Sequence, residues 1–216
     1  MGSCPAIPLP SLRRLPIYYR RLRRAIDEGQ GVISSQELGE AADVPAAQVR
    51  KDLSHVGEVG RPGIGYDVAI LADYLEHFLG LVNDKEAVLV GVGNLGRALV
   101  SYPGFTRYGL RIVALFDSDP AKVGQTMGEH RILPVSKLAD LTRRLHVQMG
   151  IITVPGRAAQ EVADQMVAGG VSVIWNFAPA TLQVPDEVLV KNEDLAAELA
   201  TLSHHINLRH LENRSS

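Results

Sequence analysis

Gly91-Val92-Gly93-Asn94-Leu95-Gly96 is the stretch of this sequence with the most definite chemistry. With this spacing the first glycine makes a tight turn and the second lets backbone approach a pyrophosphate. The third lets a helix pack on a strand. The N–H groups that open the helix bring a partial positive charge to the phosphates. Alone the pattern is a weak signal, but its context strengthens it. The apolar run Ala87–Val90 leads straight into it, and the run Arg111–Phe116 ends in Asp117, 21 residues after Gly96. An acid at that place bonds a ribose 2′-OH and disfavours a 2′-phosphate, so NAD(H) is expected rather than NADP(H). Lys122 nearby softens that preference only slightly. Ligands of open α/β sheets lie at the carboxyl ends of strands. Two further loops of that kind, Thr153-Val154-Pro155 and Asn176-Phe177-Ala178, are placed to meet the nicotinamide half.

A second chemistry lies near the start of the chain. The formal net charge is −2, yet residues 11–24 hold six arginines and no acid: Arg13, Arg14, Arg20, Arg21, Arg23 and Arg24. A cationic stripe on a near-neutral chain points to an anionic partner met at one end. A later segment adds Ala47, Arg50, Lys51 and Ser54 on one helical face, flanked by Gln48 and His55, with Val49, Leu53 and Val56 on the other.

The histidines do not make a metal site. His204 and His205 are adjacent, so they face different ways, whereas helical ligand pairs sit three or four residues apart. His130, His146 and His210 have no ligand company. Cys4 is the single cysteine, which rules out an internal disulfide and fits a reducing cytoplasm. No apolar run reaches the roughly 18 residues of a membrane span, and no signal-peptide core follows the N-terminus. The 46% hydrophobic and 21% charged content exclude wholesale disorder.

Leu12, Leu15, Tyr19, Leu22 and Ile26 form a helical face, with the regular helix starting nearer Leu15 because Pro16 suits a first turn. Ser34 and Glu37 form a capping box for a short helix to about Ala42. Pro45 then opens a helix to about His55, which completes a helix-turn-helix. The glycine-punctuated segment His55–Val68 reads as a hairpin, the wing of a winged helix, with Arg61 near its tip. Ile70–Val82 is expected to be a connecting helix. Beyond it, strands at Ala87–Val90, Ile112–Phe116, Met149–Val154 and Val171–Trp175 alternate with helices at Leu95–Ser101, Leu138–Leu145 and Ala158–Ala168. That alternation predicts a doubly wound parallel sheet. Asp194–Leu211 is a last helix whose Leu195, Leu199, Leu202 and Ile206 make a short a/d seam.

Together these motifs resemble the Rex family of redox-sensing transcriptional repressors. RLPIYYRRL at Arg14–Leu22 looks like the family's first helix, QVRKDLS at Gln48–Ser54 like its recognition helix, and the GxGY ending at Tyr66 like its wing. GVGNLGRAL, YPGF at Tyr102–Phe105, FDSDP at Phe116–Pro120, ITVP at Ile152–Pro155 and NFAP at Asn176–Pro179 complete the set. The resemblance covers about Leu9 to Leu211. The one departure is the dense Arg21-Leu-Arg-Arg24 extension of helix one. The resemblance implies an α/β protein with three parts: a winged helix in residues 1–82, a Rossmann-like NAD(H) domain in 83–191, and an exchanged dimerisation helix in 192–216. It implies a cytoplasmic homodimer on double-stranded operator DNA, without catalysis, metal or membrane, released when NADH rises relative to NAD⁺. It also implies that Asp194 bonds Tyr102 in one state and a basic residue of the winged helix in the other.

On this reading Ala47, Gln48, Arg50, Lys51 and Ser54 serve a helix that enters a major groove, Arg61 serves the wing, and Arg13, Arg14, Arg20 and Arg21 mainly meet phosphates. The alternative is an NAD-dependent dehydrogenase with an N-terminal interaction module. That needs a proton donor beside the nicotinamide and a substrate pocket. The roughly 100 residues after Asp117 are consumed by the sheet and last helix, and leave no substrate domain.

Overall fold

In the computed structural model, which describes residues 7–57, 60–61, 63–194, 196–197, 199 and 203, the chain separates into Met1–Asn83 and Asp84–Ser216. The first unit opens with α1, Leu9–Asp27. This helix starts well before the expected Leu15. Pro10 falls in its first turn, where no N–H is needed, and Pro16 lies inside it and forfeits one bond. Burial of Ser11, Leu15, Tyr18, Tyr19, Leu22 and Ala25 keeps both sides of Pro16 in one helix. The expected face is therefore corrected as well. Leu12 and Ile26 are 40% and 39% exposed, and the buried stripe turns toward Ser11, Tyr18 and Ala25.

Helix α2, Ser35–Ala42, begins at a complete capping box. The Ser34 hydroxyl accepts from the Glu37 N–H at 3.2 Å, and the Glu37 carboxylate accepts from the Ser34 N–H at 2.8 Å. Asp43 closes α2 in the left-handed region, and α3, Ala46–His55, follows. Val49, Asp52, Leu53 and Val56 are buried, while Ala47, Arg50, Lys51 and Ser54 are exposed. The wing differs from a simple hairpin after α3. Arg61 and Gly65 bridge a tight turn, but β2, Tyr66–Asp67, pairs antiparallel with β1, Val32–Ile33, which precedes α2. Glu58, Val59 and Pro62 lie outside the described residues. Helix α4, Val68–Phe78, is capped by the Asp67 carboxylate, which accepts from the Ile70 N–H at 3.0 Å. It therefore starts before the expected Ile70 and ends before Val82.

The second unit contains β3 (Lys85–Val90), α5 (Asn94–Val100), α6 (Gly104–Arg107), β4 (Leu110–Asp117), β5 (Thr126–Met127) and β6 (His130–Pro134). It continues with α7 (Leu138–Leu145), β7 (Met149–Ile152), α8 (Gly156–Ala168), β8 (Val173–Asn176) and β9 (Leu189–Asn192). The sheet order is β5-β6-β4-β3-β7-β8-β9. All pairings are parallel except β5 with β6. The chain winds outward from β3 through β4 and β6, returns to β7 on the other side, and winds outward again. This is the doubly wound Rossmann order, and its direction reverses between β3 and β7. Leu89, Ile112, Leu115 and Ile151 pack one face with Leu99, Val100 and Phe105. Val88, Val90, Phe116 and Ile152 pack the other against Leu138, Ala159, Val162 and Met166. Strands buried on both faces are why these segments read as short apolar runs. The last helix and its seam fall outside the described residues, apart from Asp194, Ala196, Ala197, Leu199 and Ser203.

Candidate dinucleotide site and nucleic-acid interface

The turn after β3 lies at the reversal point of the sheet, where ligands of such folds bind. Gly91 has φ +101, and a Cβ there would stand 2.8 Å from the Thr153 carbonyl carbon. At Gly96 a Cβ would fall 2.1 Å from the Gly91 carbonyl oxygen, so only glycine lets α5 sit this close to β3. Gly93 is different, because a Cβ there would meet nothing within 4 Å. That open side, beside an α5 N-terminus with no side-chain cap, has the shape and the donors for a pyrophosphate. Val92, Asn94 and Leu95 complete this turn and the start of α5.

Asp117 ends β4 directly beside that turn. Its Oδ2 accepts from the Val92 N–H at 2.8 Å and from the Lys122 ammonium at 3.1 Å, and its Oδ1 accepts from the Asp119 N–H at 2.9 Å. Burial pushes this carboxyl up, but these donors outweigh it and hold the group below the usual carboxylate range. A carboxylate offers about four acceptor positions. Three are taken, which leaves room for one hydroxyl. Lys122 proves to be the ion-pair partner of Asp117. The dinucleotide that this turn calls for fits the residues present.

Thr153 joins β7 to the glycine turn. Its hydroxyl donates to the Gly91 carbonyl at 2.7 Å and lies 3.1 Å from that of Val90. Val154 packs partly buried beside it, and Pro155 is the N-cap residue of α8. The Asn176 side chain is completely buried and consumed locally. Its Nδ2 donates to Ala180 O at 2.9 Å and Asn192 Oδ1 at 2.8 Å, and its Oδ1 accepts from the Ala178 N–H at 3.0 Å. Asn176 thus shapes the loop, and a ligand at this edge would meet Phe177 and the loop backbone.

In the first unit the arginine stripe divides. Arg13 and Arg20 are exposed. Arg14 is not a free surface cation. Its Nε and Nη2 donate to Asp52 at 2.6 and 2.8 Å, and its side chain is 19% exposed. Arg21 is likewise half-buried, donating to Gln30 at 3.2 Å beside Glu28 and Glu37. Both side chains are held by partners within this unit, in contrast to the exposed Arg13 and Arg20. Arg23 and Arg24 lie beside Glu76 and Glu28. On α3, Lys51 is exposed, Arg50 donates to the Ser35 hydroxyl at 3.0 Å, and the Ser54 hydroxyl donates to Lys51 O at 2.8 Å. Gln48 donates to Asp52 at 2.8 Å. Arg61 is exposed at the turn it shares with Gly65.

Two family models match: the CoA binding domain over residues 82–180 and the putative DNA-binding protein N-terminus over 6–54. The redox-sensing transcriptional repressor Rex of Chloroflexus aurantiacus is 46% identical over 90% of this chain and 92% of that protein. The repressor of the same name from Carboxydothermus hydrogenoformans is 43% identical over 93% of this chain and 96% of its own. The chain belongs to the Rex family. Among solved structures, RSP in complex with β-NAD⁺ and operator DNA matches with a TM-score of 0.90 at 34% identity, covering 97% of this chain and 96% of that one. RSP bound to β-NADH matches with a TM-score of 0.85 at 33% identity, covering 97% and 99%.

Of the two residues expected to act in a Rex switch, Tyr102 is 56% exposed and packs edge-on against Phe105, with ring centroids 5.2 Å apart. Phe105 contacts Trp175 at 5.6 Å and Trp175 contacts Phe177 at 5.0 Å. An aromatic row therefore joins Tyr102 to the loop after β8. Phe105 belongs to the YPGF stretch, whereas Trp175 is an ordinary core type that nothing in its spacing marks. Asp194 is exposed, and its Oδ1 accepts from the Ala196 and Ala197 N–H groups at 2.9 and 3.0 Å. Among the described residues no cluster of three His, Cys, Asp or Glu gathers as for a metal, and no helix is long and apolar enough to cross a membrane.

Proposed function

We propose that this Rex-family chain is a redox-sensing transcriptional repressor. It binds operator DNA as a homodimer in the cytoplasm through its winged-helix unit and lets go when NADH rises relative to NAD⁺. The single observation that carries the reading is the pairing, in one chain, of a basic helix-turn-helix with a doubly wound sheet whose glycine turn and Asp117 suit a dinucleotide. The solved relative bound to both β-NAD⁺ and operator DNA supports it. Residues Gly91–Gly96 would hold the pyrophosphate, and Asp117 with Lys122 the adenosine ribose. The 153–155 and 176–178 loops would flank the nicotinamide, whose redox state alone distinguishes the two ligands. Arg50 and Lys51 would approach base edges, with Ala47 and Ser54 lining the same face and Gln48 at its margin. Arg61 would follow the neighbouring groove or backbone, and Arg13 and Arg20 the phosphates. Tyr102 and Asp194 would report the nicotinamide state to the dimer. The boundaries proposed for the parts are 82/83 and 191/192, the last part being the exchanged helix.

The reading includes no catalysis, in contrast to a dehydrogenase with an interaction module. The test has two arms. A gel shift on the protein's own upstream DNA should show a complex that survives NAD⁺ and dissolves with NADH. NADH offered with common carbonyl substrates should not be consumed. Steady turnover without a DNA complex would favour the dehydrogenase.

A further inference from the structure

Asp52 is the one completely buried carboxylate among the described residues, and it lies on α3 directly after the exposed Lys51. Several side chains hold it, the buried Ser11 of α1 among them. Arg14 on α1 contributes two bonds, at 2.6 and 2.8 Å, the Tyr18 hydroxyl on α1 donates at 2.8 Å, and Gln48 one turn back on α3 donates at 2.8 Å. Removing a carboxylate and a guanidinium from water is costly, and packed apolar residues of similar volume often stabilise a fold as well or better. Stability alone is thus a weak account of this cluster. What it provides that apolar packing does not is direction: a guanidinium fork on a carboxylate fixes both distance and angle. The Tyr18 hydroxyl adds a third direction from the same helix. Because Val49, Leu53 and Val56 pack without such directionality, this cluster sets how far α3 is rotated about its own axis and where it lies along α1.

We infer that Asp52, clamped by Arg14 and Tyr18, is a positioning residue for operator reading, holding α3 at the rotation that presents Arg50 and Lys51 to the base edges. The inference rests on the reading of α3 as the DNA-contacting helix. It gives Arg14 an internal role: its charge is spent on Asp52 and adds no phosphate contact. A phosphate-contacting arginine and a positioning arginine leave different signatures. Loss of the first weakens operator and random DNA alike and flattens the salt dependence by about one unit. Loss of the second weakens operator DNA selectively and leaves the slope unchanged.

The test compares the full-length chain with Asp52→Asn, Arg14→Ala and an Arg14→Met/Asp52→Leu double variant, the last replacing the pair by apolar groups. Binding to operator and to random duplex is measured by anisotropy across a salt series, with thermal melting and NADH affinity alongside. We expect operator affinity to fall tenfold or more in each folded variant, with affinity for random DNA, salt slope and NADH affinity near wild type. Should Asp52→Asn or Arg14→Ala fail to fold, the double variant decides. Wild-type operator affinity in a folded double variant overturns the inference, and so does parallel loss on operator and random DNA. A wild-type protein that binds no operator at all would instead refute the repressor reading.

Discussion

Asp117→Ala is expected to weaken NADH binding by about 1–3 kcal/mol, the cost of a lost charge-assisted bond, as read by calorimetry. The same carboxylate ties the Val92 N–H and Lys122 in place, so the variant should also loosen the glycine turn. The wild type should bind NADPH more weakly than NADH; equal binding would overturn the ribose assignment. Asp52 gives a second expectation at this scale. Burial pushes its carboxyl up, but Arg14, Gln48 and Tyr18 more than reverse that and hold it far below the ordinary aspartate value. Its folded pKa is thus depressed, so its contribution to stability is complete above about pH 4. It is lost as pH falls from there through the native value. The melting temperature of the wild type should therefore drop toward acid more steeply than that of Asp52→Asn. Parallel profiles would mean that the network does not carry this dependence. The Arg14–Asp52 pair spans 38 residues, beyond any local pattern. The available signal was narrow: Asp52 falls on the apolar Val49–Leu53–Val56 face, where an acid needs a partner.

At the scale of elements, α3 and the wing are expected to act together. A Lys51→Ala/Arg61→Ala double variant should bind operator more weakly in an anisotropy titration; unchanged binding would mean that the helix and wing are misassigned. Removing Arg13 or Arg20 should flatten the salt dependence by about one unit each. Elements with strong periodicity or caps were legible. The Ser34–Glu37 box starts α2, and α7 spans the expected Leu138–Leu145. The apolar strands around the glycine turn were visible because both faces of the sheet are covered. Two-residue β1, β2 and β5 were not, since two residues cannot display a period, and β9 carries Lys191 and Asn192 at the exposed edge of the sheet. At the site, the glycines and Asp117 announce themselves by type and spacing. The inward role of Asn176 was hidden, because an asparagine in a loop looks the same whether it bonds ligand or backbone.

For the whole molecule, release by NADH requires that one dimer geometry fit two half-sites and another not, since recognition helices must stand a helical turn or a multiple apart. A ligand shifts that balance only by binding the two geometries unequally. Tyr102→Phe and Asp194→Ala should accordingly blunt NADH-driven release more than they reduce NADH affinity; release at the wild-type NADH concentration in both would dismiss that relay. One titration decides whether the chain is an NADH-released repressor: fluorescent operator DNA bound by the wild-type chain, with anisotropy followed as NADH is added over a constant excess of NAD⁺. The expected result is a stable complex in NAD⁺ alone and its dissociation as NADH rises. An anisotropy that responds equally to NAD⁺ and NADH, or to neither, would contradict it.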